Sequence, residues 1–334
     1  MTHWRLVLLL VVTSFATVCL TNCRQNGSHQ TAVPVRVAID QFIGFAPIYV
    51  ASDRGYFTQR GVSVEALPIL DTAQRTASFA SGRVDAICTT LDSLLLLASK
   101  GVDLVIVAAV DKSHGADGIL AARTVRTATD LKGKTVAFQE GMPSHFLLLW
   151  YLLNNGLSPA DIRAVNMNAD DAGAAFTAGK VDAAVTWEPW LSRAKTDGKG
   201  KLLVSTADLP PVLVDVLAVR REVLTSRRAA VAALYSGWMD AIEYYKTSPD
   251  AALTIMSGGL KLSLDEVRQN AQTVEFADRA FNRGFFDKSA HDSAWSLATR
   301  AIGIWQTAGL MTPGQDSGRF LTDEIVRSES APAK

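Results

Sequence analysis

Cysteine is nearly absent from this 334-residue chain: Cys19, Cys23 and Cys88 are the only three. None is spaced to build a disulfide framework or a cysteine metal site. Cys88 lies inside an apolar run and reads as a small core residue, because a buried free thiol behaves as a hydrophobe. Histidine is scarce as well, with five residues and no metal-ligand spacing among them. The chain contains no Gly-x-Ser-x-Gly elbow and no phosphate loop, so the common hydrolase and nucleotide-enzyme signatures are missing. Neither sign of charge dominates: 33 Lys and Arg stand against 33 Asp and Glu. No basic block exists, which argues against a nucleic-acid partner. No apolar run reaches the roughly 20 residues that a membrane span requires.

The N-terminus is where apolar residues concentrate. His3 and Arg5 form a short polar region, residues 6–16 an apolar one, and small or polar residues follow, the pattern of an export signal. Leu20-Thr-Asn-Cys23 looks like a bacterial lipobox, with Asn22 in place of the usual small residue before the cysteine. The expectation is a signal over 1–22, lipidation at Cys23, a polar tether over 23–32 and a protein placed outside the cytoplasm, periplasmic and membrane-anchored.

The body of the chain repeats itself. Phe79-Ala-Ser-Gly82-Arg83-Val84-Asp85-Ala86 recurs 97 residues later as Phe176-Thr-Ala-Gly179-Lys180-Val181-Asp182-Ala183. Each copy reads as a helix end, a glycine suited to the left-handed cap, one basic residue and a short apolar strand. Upstream, Val37-Ala-Ile-Asp40 before Pro47 is echoed by Thr135-Val-Ala-Phe138 before Pro143. Strand-like runs (35–39, 62–67, 84–89, 104–110) alternate with helix-like ones (47–57, 72–81, 93–100). The cycle restarts at 135–138 and runs through 181–186, then 202–204 and 212–219 are apolar again and the pattern beyond Arg221 is helical. Alternation of this kind predicts two doubly wound α/β lobes with parallel sheets. Crossings at 118–123 and 213–219 would form a two-strand hinge, with lobe 1 from 33–123 and 212–334 and lobe 2 from 124–211.

Further motifs carry a family likeness: Gly44-Phe-Ala-Pro47-Ile-Tyr-Val-Ala51 with Arg54-Gly55-Tyr56-Phe57 and Gly61-Val62, then Gly82-Arg-Val-Asp85, Asp130-Leu-Lys-Gly-Lys134 and Thr186-Trp187-Glu188-Pro189. In that order and spacing the chain resembles the extracytoplasmic solute-binding proteins of ABC importers, in the branch serving nitrate, sulfonates, taurine and thiamine-pyrimidine precursors. The resemblance implies a type II periplasmic-binding-protein fold, a small-molecule ligand clamped between lobes, and delivery to a membrane permease with its ATPase. It implies no cofactor and no catalytic residue, and the protein is expected to act as a monomer. Enzymes share this architecture, and a ligand sensor is a further alternative.

In doubly wound sheets ligands bind outside the carboxyl ends of strands, facing helix N-termini. That rule nominates Asp40, Phe42 and Phe45 after the first strand, Thr90 and Asp92 after the third, Asp117 and Asp215 at the crossings, Ser144 and His145 on the helix after Pro143, and Trp187 and Glu188 after the matching strand of the second lobe. Ser144 and Asp92 have an alternative as helix caps, and Trp187 as packing beneath Pro189 and Trp190. Asp85 and Asp182 sit at strand starts and read as structural. The predicted cleft residues are acidic, with no Arg or Lys equally well placed, so a ligand bearing an amine, or a zwitterion such as taurine, is expected over a bare inorganic anion.

Overall fold

The computed structural model describes residues 33–196 and 200–330; the expected signal, tether and lipidation site at Cys23 lie outside the described residues. The chain begins with β1 (Val35–Ile39), α1 (Pro47–Asp53), β2 (Val64–Pro68), α2 (Thr72–Ala80), β3 (Ala86–Thr90), α3 (Leu91–Ser99) and β4 (Leu104–Ser113). It then crosses into β5 (Asp117–Ala121), β6 (Thr135–Phe138), α4 (Pro143–Asn154), β7 (Arg163–Asn166), α5 (Ala169–Thr177), β8 (Ala183–Trp187), α6 (Trp190–Thr196) and β9 (Lys201–Ser205). It returns through β10 (Val214–Arg220) into α7 (Arg221–Ser226), α8 (Arg228–Thr247), α9 (Pro249–Leu260) and α10 (Leu264–Asn270). The short β11 (Val274–Phe276) precedes α11 (Arg279–Phe285), α12 (Ala294–Thr307) and α13 (Glu324–Ser330).

Two sheets result, ordered β11-β4-β10-β3-β1-β2 and β7-β6-β8-β5-β9. In each, three strands run parallel: β1 with β2 and β3, and β6 with β7 and β8. The next strand in each sheet runs antiparallel, β10 against β3 and β5 against β8. The sheets are therefore mixed, unlike the purely parallel ones expected, because the strand beside each parallel set arrives from the opposite lobe. The first crossing also falls earlier than expected, between Ser113 and Asp117, since residues 117–121 pair with β8 and β9 of the second sheet. β11 went unseen because three residues are too few to display an alternating pattern. α1 stops at Asp53 because Gly55 takes a left-handed φ of 69° and ends the hydrogen-bond ladder.

The 97-residue repeat is visible as geometry. The buried stripe of α2 is Thr72, Arg75, Thr76 and Phe79; that of α5 is Ala169, Ala172, Gly173 and Phe176, each offset by the same interval. Gly82 and Gly179 follow with φ of 75° and 72°. Asp85 then accepts a hydrogen bond from the Arg36 amide at 2.9 Å, and Asp182 from the Thr135 amide at 2.8 Å, so each aspartate ties the entry of its strand to the neighbouring one. Around Asp85 the arginines Arg36, Arg220 and Arg227 gather at 3.4, 3.5 and 3.7 Å. Burial opposes the Asp85 charge, but the Arg36 amide and guanidinium and then the charge of Arg227 hold its pKa below the usual carboxylate range. Asp182 sits in a more open setting, its pKa lowered first by its Thr135 hydrogen bonds and then by the charges of Lys134 and Arg163.

Removing Asp85 takes a buried carboxylate from the Arg36 amide and three partly exposed arginines, which costs about 2–3 kcal/mol, whereas removing Asp182 loses a more exposed backbone acceptor, about 1 kcal/mol. Urea unfolding of Asp85→Ala and Asp182→Ala is expected to show the first far less stable than the second. Equal losses would contradict the inequality of the two sites.

Candidate functional site

The carboxyl ends of β1, β3 and β8 open onto one cavity of about 290 Å³, walled by residues of both sheets. Among the predicted site residues, Asp40, Phe42, Phe45, Thr90, Asp117, Trp187, Glu188 and Asp215 line it. Asp92, Ser144 and His145 do not.

The first wall is built on a residue that sequence reasoning missed. Arg75 is 2% exposed and sits on the cavity lining. Its guanidinium lies 2.7 Å from Asp40 Oδ2 and donates to the Ile69 carbonyl at 2.9 Å, while its Nε has no hydrogen-bond partner. The expectation that no cation reaches the cleft is thus wrong. A signal existed: 72, 75, 76 and 79 follow the i, i+3, i+4, i+7 spacing of an inward face, and Arg75 is the one charged residue on it. Asp40 also accepts from the Phe42 amide at 2.9 Å, which turns the loop so that Phe42 and Phe45 meet edge to face at 5.5 Å on the cavity wall.

The opposing wall comes from the segment after β8. Trp187 and Trp190 both face the cavity. Trp190 lies on Gly173 of α5, where a Cβ would stand 2.5 Å from the ring, and its indole N–H donates to Asp170 at 2.9 Å. Arg193 stacks over the Trp190 ring at 5.0 Å, bringing a second guanidinium to the lining. Glu188 spends both carboxylate oxygens on Ser192, accepting from its amide at 3.0 Å and its hydroxyl at 2.9 Å.

The floor is where the chain crosses between sheets. Ser113 donates to Asp117 at 2.6 Å, Thr206 Oγ1 stands 2.7 Å from Ser113 Oγ, and the Gly115 amide donates to Thr206 Oγ1 at 2.8 Å, so the two crossings are tied to each other. Asp215 on β10 lies in register with Asp111 on β4, a residue hidden in an apolar run and not anticipated. Burial and then the neighbouring acids push both carboxyls well above the ordinary range; Asp117 is raised to about 6 by burial and by the charges of Asp40 and Glu188.

The three displaced residues have physical reasons. His145 accepts the Gly141 amide on Nδ1 at 3.1 Å, stacks on Phe138 and meets Trp305 edge-on; burial lowers its pKa to about 4, so it is neutral. Ser144 accepts the Gln139 amide at 3.0 Å. Their polar atoms close their own turn, and only Pro143 reaches the cavity. Asp92 points away from the cavity into a void of about 20 Å³ between α3, α4 and α12, with one oxygen unpartnered and a pKa raised to about 7 by burial.

Raised carboxyls carry a signed consequence. The unfolded chain releases these protons near pH 4 while the folded protein keeps them to about 6 or 7, so their contribution to stability falls as pH rises through that window. His145 acts oppositely between about 4 and 6.5, which makes a difference measurement the clean one. Asp92→Asn is expected to gain on the parent by on the order of 4 kcal/mol between pH 4 and 7.5 in urea unfolding. A constant difference would mean that Asp92 titrates normally.

Comparison with known proteins places this geometry. The family model NMT1/THI5 like matches residues 43–252. A putative aliphatic sulfonates-binding protein of Escherichia coli is 41% identical over 111 residues, a match spanning 33% of this chain and 35% of that one. The taurine-binding periplasmic protein of Escherichia coli is 26% identical over 227 residues, 66% of this chain and 70% of the relative. Among solved structures, the alkanesulfonate-binding protein SsuA of Xanthomonas axonopodis pv. citri, bound to MOPS, superimposes with a TM-score of 0.72 at 21% identity, covering 87% of this chain and 98% of that one. The fold is that of the periplasmic binding proteins.

Proposed function

We propose that this chain, which belongs to the NMT1/THI5-like family, is the solute-capturing subunit of an ABC importer, and that it takes a small organic sulfonate carrying an amine, of which taurine is the simplest form. The observation that carries the reading is the split character of one cavity: a buried guanidinium, Arg75, on one wall, and a floor of carboxyls, Asp117 and Asp215, beneath it. An oxyanion and an ammonium on the same ligand can each meet an opposite charge there, with Phe42 and Trp187 against the carbon chain between them. A volume of about 290 Å³ is ample for such a molecule and far larger than nitrate fills. The names of the relatives agree with the sulfonate half of this reading.

Catalysis is not part of it. Capture instead works by population shift: a ligand touching both sheets favours the form in which they close about the two crossings. In this reading the protein works as a monomer outside the cytoplasm, held to the membrane by a lipid on Cys23, and hands its ligand to a permease driven by an ATPase. The aromatic walls support a second ligand type, a flat aminopyrimidine stacked between Phe42 and Trp187.

Thermal shift with taurine, ethanesulfonate, an aminopyrimidine, sulfate and nitrate tests the reading. Taurine is expected to raise the melting temperature most, ethanesulfonate less, and sulfate and nitrate not at all. Arg75→Leu is expected to weaken the sulfonates by roughly 30–100-fold, the loss of a buried charge-assisted hydrogen bond. A preference for sulfate or nitrate overturns the ligand assignment, and a preference for the aminopyrimidine moves it to the second type.

A further inference from the structure

The floor of the cavity poses a problem of its own. Asp111 and Asp215 lie directly opposite each other on neighbouring antiparallel strands, so their carboxyls point to the same face of the sheet. Asp111 is fully buried, and neither of its oxygens has a donor from any other residue. It cannot swing away, because its Oδ2 presses on Gly44, where even a Cβ would come within 1.8 Å. Asp215 stands in front of it on the cavity lining and Asp117 beside it, reached from β5.

The remaining charged and titratable groups around this floor are few. From the loop after β1 comes Asp40, already paired with Arg75 of α2; from β3 comes Cys88, whose thiol is buried; from α3, Asp92; and from the segment after β8, Glu188, occupied by Ser192. On β4 itself, next to Asp111, Lys112 turns to Glu275 of β11 at 2.8 Å. Among the described residues no group of three or more His, Cys, Asp or Glu is arranged to hold a metal ion. Two facing carboxylates without a cation cannot both stay ionised, so the pair keeps a proton between its oxygens. A second, independent observation is Arg75, a residue of the same lining, nine-tenths or more buried, whose Nε has no hydrogen-bond partner.

We infer that the Asp111–Asp215 pair is a cation-exchange site: the ammonium group of a bound zwitterion docks on Asp215 and expels the shared proton to solvent, so that binding of an amine-bearing ligand is coupled to release of a proton. The inference rests on the functional reading above and adds the pair that reads the amine and the step by which it does so. The balance is simple. The ammonium keeps its three protons, one proton leaves the pair, and the pair with its bound cation carries a net charge of −1 before and after. Asp117, whose pKa of about 6 lies close by, stays ionised to share the ammonium above that value.

Isothermal titration calorimetry of the purified protein with taurine, repeated in buffers of different ionisation enthalpy at pH 5.5–7.5, reads the exchange directly. About one proton is expected to be released per taurine bound, with affinity falling about tenfold per pH unit on the acid side. Ethanesulfonate, which lacks the amine, is expected to bind with no release. In Asp215→Asn taurine is expected to bind at least tenfold more weakly and without release, while ethanesulfonate is retained; Asp111→Asn provides a second isosteric variant. Taurine binding to the unaltered protein with no proton release, or with the same release as ethanesulfonate, overturns the exchange and leaves the sulfonate reading standing. Failure of both ligands to bind overturns the functional reading and the exchange with it.

Discussion

Arg75 and Asp40 form an ion pair at 2.7 Å with the arginine almost wholly buried, and either charge alone at that depth would cost several kcal/mol. Much of the cleft follows from that pairing. Arg75 holds Asp40 at the end of β1, Asp40 in turn receives the Phe42 amide, and the loop so fixed presents Phe42 and Phe45 to the cavity. The pair also leaves the floor acidic, because the guanidinium that would neutralise Asp117 and Asp215 is committed elsewhere. The excess is met by protons, which the raised carboxyl pKa values reflect.

Duplication explains why the two walls differ so sharply in chemistry while sharing a backbone plan. At the interval of 97 residues, Arg75 corresponds to Ala172 and Thr76 to Gly173. One copy of the stripe delivers a cation to the cavity; the other is pared down to small residues, and the space is taken by the Trp190 ring against Gly173. What was kept in both copies is the strand-entry clasp of Asp85 and Asp182, which works far from the carboxyl ends and is needed by any sheet of this kind. The strand-entry positions are alike in both copies, while the helix position that reaches the cavity as Arg75 is Ala172 in the other.

The same division decides how much was legible in the amino-acid order alone. The two lobes, the paired sheets and the structural part of Asp85 and Asp182 are written in periodicity and in the repeat, both properties of neighbouring residues. The crossing at 114–116 was misplaced by a few residues because Gly118-Ile-Leu-Ala121 looks the same whichever sheet it joins. Ser144 and His145 were nominated as first-turn residues facing a cleft, but the rule fixes only the backbone; their side chains fold back onto Gln139 and Gly141. Asp92 turned away for the same reason. Arg75 was readable from its stripe. Asp111 was not, since one acid at the end of an apolar strand shows its meaning only when a strand a hundred residues later sets Asp215 opposite.

An acidic pivot also bears on how a clamp avoids closing on nothing. Closure strips water from Asp117, Asp215 and the rim of Asp40, and removing water from a carboxylate is expensive unless something positive replaces it. A proton meets that need only in part, because one proton shared by Asp111 and Asp215 leaves that pair with one negative charge and Asp117 ionised above about pH 6. In the reading proposed above, a ligand with an ammonium group would supply the missing charge while its sulfonate meets the guanidinium of Arg75. Discrimination then comes as much from what makes wrong closure costly as from contacts that make right closure favourable. On that reading bare anions would meet the arginine but leave the acids unrelieved, and bare amines would relieve the acids but leave the arginine unmet. On that reading a molecule carrying both charges removes both costs at once.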